Sequence, residues 1–311
     1  MLFNFRTNSL LIAALLLTIS TLAQQTPPGP YSSATPFNAM RKWMPKRPVT
    51  LESDLVAGGL TAQEVLQATV YSDGLGREIQ AVTRQHSPAG NDRVTATTYG
   101  ANGRPQFTYL PFTSNVETAG DAVNDGNFKL DAFQQQVSFY NSYLTGQTGE
   151  PGATQQSPNW AYTQNVYEAS PLNRVTTSYS PGLSWVGSQS SGTPHSMQHQ
   201  ILVNTATDNV QIWNINAAQG SIPTRVGTYT TGQLVKSIET DEQGHQSIDY
   251  KDSYGQSVLR KVQNTAAADN GSGSAHAGWI CTYYVYDDYG NLRFIIPPAV
   301  VSQIDGSWVV S

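Results

Sequence analysis

Apolar and polar residues alternate with a period of two along most of the chain. The alternation is clear in "QATVYS", "RVTATTY" and "QSIDYK", and clusters of turn-forming residues separate such segments. Because successive side chains of a strand point to opposite faces, this pattern predicts half-buried β-strands. About fourteen segments qualify: 67–72, 77–85, 93–99, 105–112, 161–168, 174–180, 199–204, 209–215, 224–230, 233–240, 246–251, 256–263, 279–287 and 292–297.

One segment has a helical period instead. In "NFKLDAFQQQVSFYNSYL", Phe133, Val137, Tyr140 and Leu144 are separated by four, three and four residues. This spacing places them on one face of a helix and predicts an amphipathic helix inserted near 127–144. The fold class is therefore predicted to be all-β with one inserted helix.

A second, shorter helix is predicted from a capping signal. Thr61 and Glu64 have the spacing of a capping box, in which the side chain of each residue bonds the backbone of the other. The pair follows Gly58-Gly59, so we expect a short helix to begin there.

The N-terminus resembles a secretory signal peptide. Arg6 precedes the apolar run "LLIAALLLTI" and the small-x-small site "TLA", which predicts cleavage after Ala23. The run is shorter than the roughly 20 residues that cross a bilayer, and no later segment is long enough. We therefore expect a secreted or cell-surface protein with no membrane span after signal cleavage.

These patterns divide the chain into five segments. They are a signal peptide (1–23), a Pro-rich leader (24–36), an N-terminal β region with two hairpin repeats (37–112), a helical insertion with a Gly/Pro/Gln-rich loop (113–160), and a second β region (161–311).

Composition excludes one class of partner. Charged residues make up 13% of the chain, about half the usual share, and the net charge is −5. No cationic run is longer than Arg41-Lys42, so nucleic acid is not an expected partner. The single cysteine, Cys281, leaves no disulfide framework, and stability must come from packing and strand pairing.

A short motif recurs along the chain. In a tight turn, the first-position aspartate accepts hydrogen bonds from backbone N–H groups two and three residues on, while glycine supplies a left-handed conformation. Each copy therefore predicts a hairpin corner. The copies are Asp73-x-x-Gly76, Asp241-x-x-Gly244, Asp252-x-x-Gly255 and Asp287-x-x-Gly290, with Tyr71, Tyr250 and Tyr286 just before three of them and weaker copies at 99–104 and 167–174.

The ordered set of these motifs carries a family resemblance. It includes "YSDGLGREIQAV", "TTYGANGRPQFTYLPF", "FYNSY", "YEASPLNRV", "DEQGHQSIDYKDSYGQSVLRKV" and "TYYVYDDYGNLRFIIPP". The set resembles the tyrosine-aspartate (YD) repeats of bacterial rearrangement-hotspot (RHS) proteins. It is most similar to the N-terminal domain of unknown function on their secreted members.

The resemblance implies a fold and a partner. RHS repeats wind a continuous sheet into a hollow shell around the C-terminal segment of the same polypeptide, often a toxin. By that resemblance we expect antiparallel hairpin repeats forming a coiled open sheet or partial shell. The chain stops at Ser311, where such proteins continue into an RHS core and effector. We therefore expect a truncated chain whose main partner is its own C-terminal continuation.

Sequence signals for phosphate or acid–base chemistry are weak. Gly74-x-Gly76 lacks the third glycine of a dinucleotide loop, since position 79 is Ile79. Asp287 and Asp288 are adjacent in a strand and point to opposite faces, so Asp287 is expected to cap its turn.

Signals for metal or thiol chemistry are equally weak. "DAVNDG" (121–126) has Val123 where a calcium loop needs its second ligand. His195 and His199 have zinc-helix spacing without the accompanying glutamate. Cys281 is in phase with Trp279, Tyr283 and Val285, which predicts a buried residue rather than a nucleophile. No catalytic, cofactor-binding or metal-binding residue is assigned.

Three functions remain open on the sequence. The favoured one is a non-enzymatic secreted scaffold that encapsulates or presents a downstream segment. The alternative is an exported module that binds a cell-surface glycan or protein through exposed aromatic rings, with Trp160, Trp185 and Trp308 as candidates because they lie outside clear strands. The third is a hydrolase whose acidic pair is assembled only in the fold.

Overall fold

The computed structural model describes residues 27–56, 60–100, 102–115, 122–143, 160–190 and 192–310. The chain divides into two compact units. Unit 1 comprises residues 1–162 and 181–194, and unit 2 comprises 163–180 and 195–311. The predicted signal peptide and most of the Gly/Pro/Gln-rich loop lie outside the described residues.

Unit 1 contains an antiparallel sheet in the order β1-β2-β3-β4-β5, with β6 also paired to β4. Its strands are β1 (Asn38–Pro45), β2 (Val65–Ser72), β3 (Glu78–Thr83), β4 (Arg93–Tyr99), β5 (Pro105–Tyr109) and β6 (Phe112–Thr113). Its helices are α1 (Glu52–Val56), α2 (Ala132–Ser138), which runs into a π-helical turn (Phe139–Tyr143), and a 3-10 turn (Val186–Ser190).

The side chain of Gln80 explains an irregular apolar phase in β3. Ile79 and Val82 lie on opposite faces, and Gln80, on the same face as Val82, is fully buried. Its amide donates to the carbonyl of Lys129 at 3.0 Å and accepts from the backbone N–H of Lys129 at 2.7 Å. Because both polar ends of the amide are paired, the sheet tolerates it in the core.

The inserted helix is present but shorter than predicted. The α-helix begins at Ala132, not near residue 127, and changes to a π-helical turn at Phe139. Phe133 and Tyr140 are buried as the periodicity predicts, whereas Val137 is only half-buried. Leu144 lies outside the described residues.

Two local features of unit 1 differ from the sequence prediction. Thr61 and Glu64 do form a capping pair, with the N–H and hydroxyl of Thr61 both 3.0 Å from Glu64 Oε2. The chain then enters β2 directly, so the predicted helix is wrong and the pair closes a turn. Strand β1 was not predicted, because its residues are mostly exposed and an exposed edge strand needs no apolar alternation.

Unit 2 contains an open antiparallel sheet in the order β7-β8-β9-β12-β13-β14-β15-β16, and a separate β10-β11 hairpin. Its strands are β7 (Tyr162–Tyr167), β8 (Val175–Tyr179), β9 (Met197–Val203), β10 (Gln211–Asn214), β11 (Thr224–Thr228), β12 (Val235–Thr240), β13 (Gln246–Lys251), β14 (Ser257–Gln263), β15 (Trp279–Tyr286) and β16 (Leu292–Ile296). A short helix, α3 (Pro298–Ile304), packs against β15.

One face of the unit 2 sheet carries the core. Ile238, Ile248, Leu259 and Tyr283 each expose 1% or less, and residues of α3 pack with them. All fourteen predicted strand segments contain a strand, and the sheet is open and antiparallel. The predicted all-β fold class is therefore confirmed.

Candidate ligand-binding groove and buried ionic clusters

The four Asp-x-x-Gly turns share one hydrogen-bond arrangement. Oδ1 of each aspartate accepts from the N–H two residues on at 2.9–3.0 Å and from the N–H four residues on at 2.8–3.0 Å. The expected bond to the third N–H is wrong, because the glycine N–H donates instead to the aspartate carbonyl. Each glycine has φ between 78° and 86°, which favours glycine over residues with a side chain.

A further turn of this type escaped the sequence analysis. Ser87 Oγ accepts from the N–H of Asn91 at 2.9 Å, and Gly90 closes the turn with φ 78°. The serine hydroxyl takes the place of the carboxylate. A search for Ser-x-x-Gly between two strands would have found it.

Of the tyrosines before the turns, Tyr71 and Tyr250 are buried and Tyr286 is half-buried, and each hydroxyl bonds a nearby group. The hydroxyl of Tyr71 donates to the carbonyl of Gly126, that of Tyr250 to Asp208 Oδ1, and that of Tyr286 to the carbonyl of Ser257. They belong to the packing of the hairpins.

Two exposed tyrosines flank a groove in unit 2. Tyr254 and Tyr289 occupy the third position of the turns that begin at Asp252 and Asp287, and 88% and 89% of their surfaces are exposed. These turns close the consecutive hairpins β13–β14 and β15–β16, and the side-chain amide of Gln256 links the two turns by donating to the carbonyl of Gly290 at 3.0 Å. The groove has a volume of about 540 Å³ and is also lined by Trp213, Tyr229, Tyr284, Tyr286 and Asp288.

The tryptophans proposed from the sequence are less exposed than these tyrosines. Trp308 is buried in the core of unit 2, where its ring lies 4.7 Å from that of His276. Trp160 and Trp185 are half-buried in unit 1, and Trp160 packs against Gly187. The structure thus moves the candidate aromatic surface from tryptophan to Tyr254 and Tyr289.

The other residues considered for acid–base, thiol or metal chemistry make contacts that are typical of structural residues. Asp287 caps its turn as predicted, and Cys281 is buried as predicted. Burial raises the pKa of the Cys281 thiol to about 11, so the thiolate is disfavoured. His199 lies 3.9 Å from Glu239, and within the described part of the chain no three metal-ligating side chains converge.

A buried lysine occupies the region of the weak calcium motif in unit 1. The ammonium of Lys129 lies 2.9 Å from Asp92 and 2.7 Å from Asp125, and it also donates to the carbonyl of Ala122. Burial raises the pKa of Asp125, but hydrogen bonds from Lys129 and Asn127 outweigh it and the net pKa is lowered. An ammonium group therefore fills the place between these carboxylates. Asp121, the first residue of the motif, lies outside the described residues.

A second ionic cluster lies in the core of unit 2. Lys236 Nζ is 2.8 Å from Asp208 Oδ1 and 2.6 Å from Asp269 Oδ2, and all three side chains are fully buried. The ring of Tyr250 lies beneath the ammonium, 5.7 Å from Nζ to the centroid. No local motif in the sequence indicates this cluster, because its members are spread over 61 residues of the chain.

Two more titratable groups border this cluster. Lys261 Nζ donates to the carbonyls of Asp208 and Ser274, and burial lowers its pKa to about 8. His276 shares a 2.7 Å hydrogen bond with the hydroxyl of Tyr283, and burial, with the nearby Lys261 charge, lowers the pKa of His276 to about 3. The imidazole is therefore neutral at physiological pH.

The fold and turns define a class of protein, a predominantly antiparallel β-protein built from hairpins closed by aspartate turns. The sequence profile of a domain of unknown function, DUF6443, matches residues 42–199, about half of the chain, and the chain belongs to this family.

Comparison with other proteins adds little beyond this. A mutant Tc holotoxin pore from Photorhabdus luminescens is similar over 78% of this chain, with 16% identity and a TM-score of 0.38. This chain covers 9% of that chain. No curated protein matches the sequence. Among the described helices, none has the length and apolar character to cross a bilayer.

Proposed function

We propose that the protein is a non-enzymatic exported scaffold, the N-terminal part of an RHS/YD-repeat shell that encloses or presents the following segment of its own chain. The repeated aspartate turns and the open antiparallel sheet support this reading. Export rests on the signal-peptide pattern and the low content of charged residues.

The second face of the unit 2 sheet is the observation that carries the proposal. Opposite the core, the strands expose a series of aliphatic side chains. Each is between 39% and 53% exposed: Ile201, Val203, Val235, Val262, Ile280 and Ile295. Val203 pairs with Val235 across β9 and β12, and Val262 pairs with Ile280 across β14 and β15. The polar side chains of β13 lie between the two pairs. Grouped exposed apolar side chains rimmed by polar residues are typical of a face that another segment covers.

This face is also concave and electrically balanced. A concavity of about 740 Å³ is lined by Glu239, Asp249, Lys251 and Arg260 together with aliphatic residues. Asp249 and Lys251 lie 3.6 Å apart as an ion pair. Two acidic and two basic side chains balance in charge here, and such a mixed surface suits contact with a polypeptide segment better than recognition of one small ion.

Cysteine labelling of the outer face tests the proposal. Val235→Cys and Ile280→Cys place thiols on this face, and the native Cys281 is buried. Both thiols should react with a maleimide in the 311-residue chain. They should be protected in the protein made with the coding sequence that follows codon 311. Val226→Cys, on a residue 61% exposed in β11, is the control and should react in both.

Two outcomes would contradict the proposal. One is equal labelling of all three positions in the longer protein. The other is a reading frame that ends at codon 311 in intact relatives, because no continuation would then exist to be enclosed.

The tyrosine groove supports a second candidate, a cell-surface glycan- or protein-binding module. Exposed rings stack on flat ligand faces, and Tyr254 and Tyr289 flank one groove. Binding on a glycan array should be lost in Tyr254→Ala and Tyr289→Ala and kept in Trp185→Ala. A wild-type protein that binds no glycan would remove the glycan form of this candidate.

A further inference from the structure

The surroundings of Lys236 are those of a reaction site. The amine and both carboxylates are fully shielded from water, and Nζ contacts one oxygen of each acid, at 2.6 and 2.8 Å. Desolvating three ionised groups is costly, and a buried pair is retained only when its geometry is good. The arrangement therefore holds an amine against a carboxylate in a water-excluded part of the core, with the Tyr250 ring 5.7 Å from Nζ.

The two carboxylates differ in their hydrogen bonds. Oδ1 of Asp269 accepts from the N–H groups of Gly271 and Gly273, at 2.7 and 3.3 Å. Within the described residues, Oδ2 of Asp269 contacts Lys236 alone. One oxygen is thus held by two backbone donors, as an oxyanion would be, while the other is free to leave.

Asp208 is fixed more firmly. Its Oδ2 accepts from the N–H of Thr205 at 2.7 Å. Its Oδ1 accepts from the hydroxyl of Tyr250, at 2.7 Å, and from the N–H of Ser274, at 3.1 Å, as well as from Lys236. Burial raises the pKa of Asp208, but these donors outweigh it, so the net pKa is lowered and the carboxylate stays ionised. They also fix Oδ1 at 2.8 Å from the ammonium, where it is placed to accept the proton that the amine must lose.

We propose that Lys236 and Asp269 form an intramolecular isopeptide bond. Asp208 accepts a proton from the ammonium and passes it to Oδ2 of Asp269, and the freed amine attacks Cγ of the neutral carboxyl group. The new N–C bond forms as the bond from Cγ to Oδ2 breaks, and Oδ1 becomes the amide oxygen. Two of the three ammonium protons, one relayed by Asp208, leave with Oδ2 as water. The charges of amine and acid cancel, so no oxidant or co-reactant is needed.

The cluster around Lys129 in unit 1 shows why that lysine is not expected to react. Asp92, its fully buried partner, has both oxygens held by backbone donors: Oδ1 by Gln85 and Oδ2 by Gly126, at 2.9 and 2.7 Å. Asp125, its other partner, is 32% exposed, so water competes there. Neither acid combines burial with an oxygen that contacts only the amine.

The cross-link would join β12 to the loop before β15. Gln246 already holds this loop: its side-chain amide donates to the carbonyl of Asp269, and its Oε1 accepts from the backbone N–H of Asp269. A chain with one cysteine has no disulfide of its own, and a covalent tie across residues 236–269 would restrict the unfolded chain as a disulfide does.

Mass spectrometry of the full chain tests the proposal. The measured mass of the protein should be lower by one water than the mass calculated from its sequence. A tryptic digest should contain peptide 226–251, uncut at Lys236, joined to peptide 262–293. Recovery of the separate peptides 226–236, 237–251 and 262–293, from protein of the full expected mass, would overturn the proposal without the use of any variant.

Variants then assign the roles. Lys236→Arg keeps the charge but has no reactive amine, and Asp269→Ala has no carboxyl group. Both variants should therefore have the full mass calculated from their sequences. Asp269→Asn should give the same amide with loss of ammonia, and Asp208→Asn should slow linkage. The control Lys129→Arg should stay linked. A deficit that persists in Lys236→Arg, or a linked peptide that contains Asp208, would refute the assignment.

Discussion

The side chain of Asp252 provides a direct test of how the hairpins are held. Its Oδ1 accepts from the N–H groups of Tyr254 and Gln256, both at 2.9 Å. Asp252→Ala removes both bonds, while the backbone bonds of the turn remain. At about 0.5–1.5 kcal/mol net for each bond, with water reaching the freed donors, we expect a loss of about 1–2 kcal/mol in the free energy of unfolding.

Two further variants separate the hydrogen bonds from the charge. Asp252→Asn keeps the accepting oxygen and should lose less than half as much stability. Asp288→Ala removes an exposed carboxylate that, within the described residues, makes no hydrogen bond or ion pair, and should change stability by less than about 0.5 kcal/mol.

Urea unfolding followed by tryptophan fluorescence measures these differences, because Trp213 and Trp279 pack in the core of unit 2. Equal losses in Asp252→Ala and Asp288→Ala would refute the view that the side-chain bonds hold the turn.

Three other measurements probe backbone, protonation and sheet edges. Gly255→Ala, with φ +80 and open space around the new methyl group, should cost about 1 kcal/mol by chemical denaturation; Gly278→Ala should cost more than twice that, since its Cβ would lie 2.6 Å from the backbone nitrogen of Ala266. A comparable loss in both would contradict the steric argument. Burial lowers the pKa of His276 to about 3, against about 6.5 in the unfolded chain, so its contribution is complete above pH 6.5 and is lost as pH falls toward 3. In His276→Gln, Tm should therefore depend less on pH below neutrality than in the wild type. An unchanged slope would contradict the assignment of this pH dependence to His276. Finally, β1 and β16 each pair with one strand within the described residues, so the isolated chain should self-associate, and a sharp monomer peak in light scattering at high concentration would oppose this.

Features held by nearby residues were predictable. The Asp-x-x-Gly turns form bonds within five residues, so their geometry follows from the local sequence with only the third bond misplaced. Cys281 was expected to be buried from its phase in β15, and it is. The same local reasoning missed β1, whose exposed residues carry no apolar period, and it took the Thr61–Glu64 pair as a helix start.

Features that depend on distant residues were not predictable. Lys236, Asp208 and Asp269 appear in the sequence as ordinary surface charges. The tertiary fold brings them into the core from a strand, a 3-10 turn and a loop, respectively. Tyr254 and Tyr289 appear as two more members of the repeat, and they form a groove only because consecutive hairpins place their turns at one edge.

The sequence by itself determined most of the strands, the corners between them and the all-β class, because these depend on side-chain alternation and on hydrogen bonds within a few residues. Only the tertiary structure decided which face of the unit 2 sheet is covered, which tyrosines remain exposed and which charges are buried together. Those outcomes depend on contacts between residues far apart in the chain, and no local period or spacing encodes them.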